Sequence, residues 1–162
     1  MVTGIMNQET ERVNKLLSTV VDPEIPVLTL ADLGIIREVH CDKGRVEVTI
    51  TPTYAGCPAM QTMREDIEST LAKAGYRDVN VRQSLSPAWT TDWMSEDGRK
   101  KLRNYGIAPP AKTSCGKTIE RIKCPLCSSE DVRQISEFGS TACKALYQCR
   151  ECLEPFDYFK CL

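Results

Sequence analysis

The chain has 162 residues, of which 41% are hydrophobic and 27% charged, and its formal net charge is -1. That length holds one ordinary domain or a small domain with a smaller module, and the balanced charge argues against a nucleic-acid-binding surface or an acidic tail. No apolar stretch approaches the roughly 20 residues that span a bilayer, and the start MVTGIMNQETERVNK lacks the features of a secretory signal, so the sequence predicts a cytoplasmic protein that is not membrane-bound.

From Asn7 to Val21 the apolar residues Val13, Leu16, Leu17, Val20 and Val21 fall at i, i+3, i+4, i+7 and i+8. That is one helical face, and it ends at DPEIP, where two prolines forbid continuation. Residues 35–40 and 45–51 read as strands joined by the turn residues CDKG; in the second, Val46, Val48 and Ile50 alternate with Arg45, Glu47 and Thr49. A helix over 58–74 places Met60, Met63, Ile67 and Leu71 on one side and stops at Gly75, and VNVRQSL at 79–85 supplies a third strand. The order α-β-β-α-β predicts an α/β fold of the α+β two-layer sandwich type, its third strand added by a right-handed crossover. His40, the single histidine, sits on a strand and reads as structural.

Between the second strand and the second helix stands Cys57. With Pro58 suited to the first helical position, Cys57 or Gly56 becomes the cap, and the free N–H groups and the helix dipole favour thiolate over thiol. The expectation is a partly exposed cysteine of lowered pKa, able to act as a nucleophile or a soft metal ligand; the alternative is a small residue packed under the turn.

After the third strand, SPAWTTDWMSEDGRKKLRNYG ends in a helix over 95–104, with Ser95 as N-cap and Glu96 and Asp97 in its first turn. Trp89 and Trp93 read either as core covers or as an exposed docking surface for a partner. The stretch NYGIAPPAKTSCGKT, residues 104–118, reads as a linker, which sets the expected domains at 1–104 and 119–162 with the linker at 105–118.

Seven of the nine cysteines lie beyond residue 110. An odd number in a reducing compartment points to metal binding or thiol chemistry rather than a disulfide framework. Cys124 and Cys127 are two residues apart, as are Cys149 and Cys152, with 21 residues between the pairs. Two such knuckles complete a tetrahedral four-thiolate site, and the β-leaning segment between them suits a zinc ribbon holding one structural Zn²⁺, favoured over a rubredoxin-like iron. The module is too small for a secure core of its own, so the metal contributes much of its folding free energy. Cys143 reads as an alternative ligand, a redox-sensitive thiol or a small buried residue; Cys115 and Cys161 read as small buried residues. Residues 113–162 hold seven Lys or Arg and seven Asp or Glu, without the cationic excess that nucleic acid requires. A structural or protein-docking role suits the ribbon better.

Two resemblances sharpen this reading. VVDPEIPVLTLADLGIIREV followed by VEVTITPTYAGCPA resembles the iron–sulfur cluster assembly domain family, the SufT-like domains, over roughly residues 10–86. The resemblance implies that Cys57 is the functional cysteine, with Asp22, Glu24 and Thr53 near it, and that it transiently holds iron or an Fe–S cluster. The order of this domain, PAWTTDWMSEDGRKKLRNYGIAPP and a ribbon ending FGSTACKALYQCRECLEPFDYFKCL is similar to the PaaD (PaaJ) family of phenylacetyl-CoA epoxidase systems. That resemblance implies a non-catalytic, cytoplasmic maturation factor in phenylacetate catabolism. Its implied partners are the di-iron oxygenase and the iron–sulfur, flavin-containing reductase of the epoxidase. A homodimer contributing two Cys57 thiolates would bridge a cluster better than one chain. The alternatives are a structural, non-catalytic component with no metal-transfer role and a Cys-nucleophile enzyme, the latter disfavoured because His40 is poorly placed to serve as its base.

Overall fold

The computed structural model describes residues 8–110 and 121–161. They fall into two compact units, which divide between Ala88 and Trp89.

In the first unit, helix α1 (Gln8–Leu17) is followed by strands β1 (Ile36–Asp42) and β2 (Arg45–Ile50), helix α2 (Met60–Lys73) and strand β3 (Asp78–Gln83). The α-β-β-α-β order expected from the sequence is the order observed. The sheet runs β1-β2-β3, antiparallel between β1 and β2 and parallel between β2 and β3, as a crossover through α2 requires. The hairpin turns on Lys43 and Gly44, whose positive φ values of 47° and 83° are those a two-residue primed turn demands. Its layers close on one core. Val46, Val48 and Ile50 of the central strand are fully buried, as are Met63, Ile67 and Leu71 of α2 and Val13 and Leu17 of α1.

Helix α1 ends at Leu17, earlier than the apolar periodicity suggests; Asn7 lies outside the described residues. The Ser18 and Thr19 hydroxyls donate back to the Lys15 and Leu16 carbonyls, each at 2.7 Å, and side chains that bond their own backbone compete with helix continuation. Val20 stays buried nonetheless, while Val21 turns outward at 44% exposure and bridges to Thr29.

The second unit begins earlier than the sequence places it. Trp89 packs on Phe159, with ring centroids 6.0 Å apart. Helix α3 (Glu96–Asn104) follows, with Ser95 Oγ accepting from Gly98 N–H at 2.9 Å, as its N-cap role predicts. Strand β4 (Ile107–Ala108) lies within the expected linker, yet it pairs in parallel with β7 (Pro155–Phe159). Residues 111–118 of that linker lie outside the described residues. Strands β5 (Val132–Ser136) and β6 (Lys144–Cys149) complete a sheet of order β4-β7-β6-β5. Residues 89–108 thus belong with the ribbon, because their apolar side chains and a strand edge are buried there. Among the described residues, no helix is long and apolar enough to cross a membrane.

Truncating Ile67 to Ala is expected to destabilise the first unit by about 2–5 kcal/mol in chemical unfolding, the range for emptying a fully buried aliphatic site. Ser95→Ala is expected to cost the second unit about 1 kcal/mol by removing the acceptor for Gly98 N–H.

Candidate functional site

The ribbon sheet brings two knuckles together, one preceding β5 and the other connecting β6 to β7. In each, the first cysteine donates its N–H to a carbonyl five residues on: Cys124 to Ser129 at 2.9 Å, and Cys149 to Glu154 at 3.0 Å. The residue after each second cysteine, Ser128 or Leu153, adopts a left-handed conformation with φ of 65° or 66°. This repeated turn curls the chain so that both sulfurs of a knuckle aim at one centre. The four Sγ atoms of Cys124, Cys127, Cys149 and Cys152 lie within 4.8 Å of one another. Cross-knuckle distances are 3.7 Å for Cys124–Cys152 and 3.5 Å for Cys127–Cys149. A tetrahedron of thiolates around zinc, with bonds of about 2.3 Å, has edges of about 3.8 Å. The donor set therefore fits a zinc ion held by these four residues, whose chemistry is structural because no ligand position remains open.

The sulfurs do not titrate alike. Cys149 is lowered to about 7, chiefly by the Cys152 backbone N–H and further by the Glu151 N–H, against the opposing effect of burial. In Cys152 the Glu154 N–H favours the thiolate, but burial and the sulfurs of Cys149, Cys127 and Cys124 outweigh it and push the thiol up to about 12. For Cys127 the Ser129 N–H acts downward, and the Cys149 thiol, burial and Cys124 together raise it. Without a cation the Cys149 thiolate forms easily while Cys127 and Cys152 hold their protons. A divalent ion removes that conflict by converting mutual repulsion into four attractions.

Cys57 lies at the end of the first sheet. Ile36 pairs with Ile50, Thr51 N–H donates to the Ile35 carbonyl at 2.9 Å, and Ser84 N–H donates to the Ile50 carbonyl. The segment entering β1, the segment leaving β2 and the segment leaving β3 therefore share that end. The first includes Asp22 and Glu24; the second includes Thr53 and Cys57. Cys57 is half-buried, as expected, but it does not cap the helix. Helix α2 starts at Met60 with Ala59 as its cap, and Cys57 instead closes a turn by donating its N–H to the Tyr54 carbonyl at 3.2 Å. Pro58 and Ala59 form a further turn before the helix, which moves the dipole away from the sulfur's own residue.

Asp22 is 5% exposed, and its Oδ1 accepts from the N–H groups of Glu24 and Ile25 at 2.8 and 2.7 Å. It is thus the residue that shapes the DPE turn, a role that sequence alone leaves undistinguished from ligation. Glu24 and Thr53 are half-buried. Among the described residues, the four cysteines of the ribbon are the one group of three or more potential ligands that converges; Cys57, Asp22 and Glu24 form no second such group.

Other expectations resolve individually. Trp89 is 5% exposed and belongs to the core, so its docking alternative falls; Trp93 is half-buried. His40 lies exposed on β1, 3.8 Å from Glu38. Cys143 is buried, with Thr141 Oγ1 3.0 Å from its sulfur, and stands outside the metal-binding group. Cys41 is half-buried, its thiol raised mainly by burial. Cys161 is disulfide-bonded rather than a plain thiol, and Cys115 lies outside the described residues. Sequence reasoning missed two buried cations, Arg99 and Lys144. Lys144 Nζ lies 3.9 Å from Asp157, whose carboxylate also accepts from Ser140 Oγ at 2.8 Å, and a Cβ on Gly139 would collide with that carboxylate. A lysine between a turn and a strand carries no local signal for such a partner on another strand.

Exposed Cys127 tests the metal centre without disturbing packing. Cys127→Ser is expected to reduce zinc from about one ion per chain to a small fraction of that and to unfold the ribbon, since structural zinc contributes on the order of 10 kcal/mol to such modules. Because Cys152 and Cys127 hold their protons when metal-free, zinc uptake should release protons and weaken as pH falls; calorimetry in buffers of different ionisation enthalpy measures both.

Comparison with known proteins agrees with this two-part geometry. Residues 10–82 match the iron–sulfur cluster assembly protein family, and residues 108–160 match the PaaD zinc beta ribbon domain. An Escherichia coli (strain K12) protein named as a putative 1,2-phenylacetyl-CoA epoxidase subunit is 52% identical over 149 residues, covering 91% of this chain and 90% of that protein. An Fe-S protein maturation auxiliary factor of Porphyromonas gingivalis (strain ATCC BAA-308 / W83) is 37% identical over 97 residues, covering 59% of this chain and 91% of its own. The crystal structure of a domain of unknown function, DUF59, from Bacillus anthracis shares the fold with a TM-score of 0.55 at 24% identity, over 57% of this chain and 90% of that one. The chain belongs to the PaaD family, in which an iron–sulfur cluster assembly protein domain precedes a PaaD zinc beta ribbon.

Proposed function

We propose that this chain is a non-catalytic accessory protein of a phenylacetyl-CoA epoxidase system that assists assembly or repair of an iron or iron–sulfur centre in a partner subunit. The observation that carries the reading is the half-exposed Cys57 on a turn at the same end of the sheet as the segment bearing Asp22 and Glu24. The names of the relatives, an epoxidase subunit and a maturation factor for Fe-S proteins, supply the class of recipient.

In this mechanism the cargo is iron or an Fe–S cluster, and Cys57 is its soft protein ligand. Asp22 keeps the turn in shape through its two backbone hydrogen bonds, which leaves Glu24 as the half-buried carboxylate of the loop. Thr53 sits in the bend just after the strand and contributes a hydroxyl to the same segment. A site built on one thiolate releases soft metal readily, whereas a recipient with four cysteines holds it far more tightly, so transfer runs downhill. A second copy of the chain, bringing its own Cys57, would complete a bridge for a cluster. The zinc ribbon keeps its ion permanently and serves as a scaffold for contact with the recipient, with Trp93 as a docking residue. The work is that of a cytoplasmic protein acting beside its reductase or oxygenase partner.

A second reading, a structural subunit without metal transfer, draws on the word "subunit" in the relative's name. The two separate on one variant. Cys57→Ala in the full chain is expected to keep its zinc, while recovery of iron content and activity in the partner subunits slows about 10- to 100-fold, the scale for losing a group that holds or orients a metal. Full recovery with Cys57→Ala, together with co-purification at fixed stoichiometry, would establish the structural reading instead.

A further inference from the structure

We propose that the second unit carries a ligand site of its own: a basic groove beside the first knuckle that binds the phosphate chain of a small molecule of the nucleoside diphosphate class. The groove has a volume of about 680 Å³, and five cations line it: Arg99, Lys100 and Arg103 from α3, with Arg121 and Lys123 from the segment entering the knuckle. This lies within the range of roughly 300–1,000 Å³ usual for small-molecule sites.

The charges are poorly compensated. Arg99 is only 8% exposed, yet its partners are backbone carbonyls: Nη2 donates to Thr91 at 2.7 Å and Nη1 to Pro110. Two of its five N–H groups are thereby used and, among the described residues, its charge meets no carboxylate, an arrangement that is costly for a buried cation until an anion arrives. Among the described residues Arg103 has no carboxylate partner either. Lys100 has only an exposed contact of 3.7 Å to Asp97, and Arg121 and Lys123 share the single carboxylate of Glu130 at 3.6 and 3.2 Å. Among the described residues, Glu96 is the one acidic residue in the lining.

Among the described residues, setting five cations against Glu96, Glu130 and Asp97 leaves an excess of two. A lone carboxylate falls short of that excess, whereas a diphosphate covers it and offers the oxygen pairs that guanidinium forks engage in parallel. The remaining wall is apolar, with Ala108, Pro109, Pro110, Ile122 and the Tyr158 ring, and it suits the base of a nucleotide.

The test uses the full zinc-loaded chain, titrated calorimetrically with ADP, with inorganic pyrophosphate and with adenosine. ADP is expected to bind with Kd below about 1 mM and pyrophosphate more weakly, with no binding of adenosine. Arg103→Ala and Lys123→Ala, both at exposed residues, should each weaken ADP at least about tenfold while zinc content and circular dichroism stay unchanged. The proposal is overturned if neither phosphate binds at millimolar concentration, if Arg103→Ala leaves ADP affinity unaltered, or if a poly-glutamate peptide binds more tightly than ADP, which would make the groove a dock for an acidic protein. None of these outcomes bears on Cys57, so this site and the metal-transfer reading stand or fall separately.

Discussion

Four sulfurs drawn within 4.8 Å of one another constrain the second unit more than any other contact. Ala108, Cys124, Cys149 and Phe156 form one of its buried clusters, supported by half-buried neighbours such as Ile122, Val132 and Tyr147. Two of those four residues belong to the converging cysteines, so this apolar packing and the candidate metal centre are one structure. Left as thiols and thiolates, the sulfurs oppose each other, one lowered to about 7 and another pushed up to about 12. A cation among them turns the repulsion into the bond that holds β5, β6 and β7 to the knuckles.

The first unit solves its folding problem by ordinary means. A three-stranded sheet whose central strand buries one face, covered by two helices, builds its core from apolar side chains. Cys57, on a connecting turn, stands outside any converging group of ligands among the described residues. Four converging thiolates suit retention of an ion, and among the described residues that arrangement is confined to the second unit.

Much of this was legible along the chain because the relevant forces are local. The two Cys-x-x-Cys pairs announce their knuckles, since the turn that aligns two sulfurs lies within each short segment. Ser95 announces the start of α3 because a hydroxyl reaches an N–H three residues on. Lys43 and Gly44 announce the hairpin by the backbone conformation their turn requires. The alternation in β2 gives its buried face directly, through the two-residue repeat of a strand.

Other features depend on partners far along the chain, and these the sequence did not reveal. Cys57 reads as a helix cap, but packing sets the start of α2 at Met60 and leaves the cysteine in a separate turn. Nothing along the chain signals that Asp22 Oδ1 accepts from two backbone N–H groups, and Trp89 resembles a docking residue until Phe159 covers it. Arg99 looks like one more charge on a basic helix, and only folding brings the Thr91 and Pro110 carbonyls to it. By itself, the sequence determined the order of elements, the four cysteines that converge and the family, because periodicity, turn chemistry and cysteine spacing act over a few residues. Only the tertiary structure decided which polar groups face which partners and where the units divide, because burial and pairing arise between residues that the chain itself keeps apart.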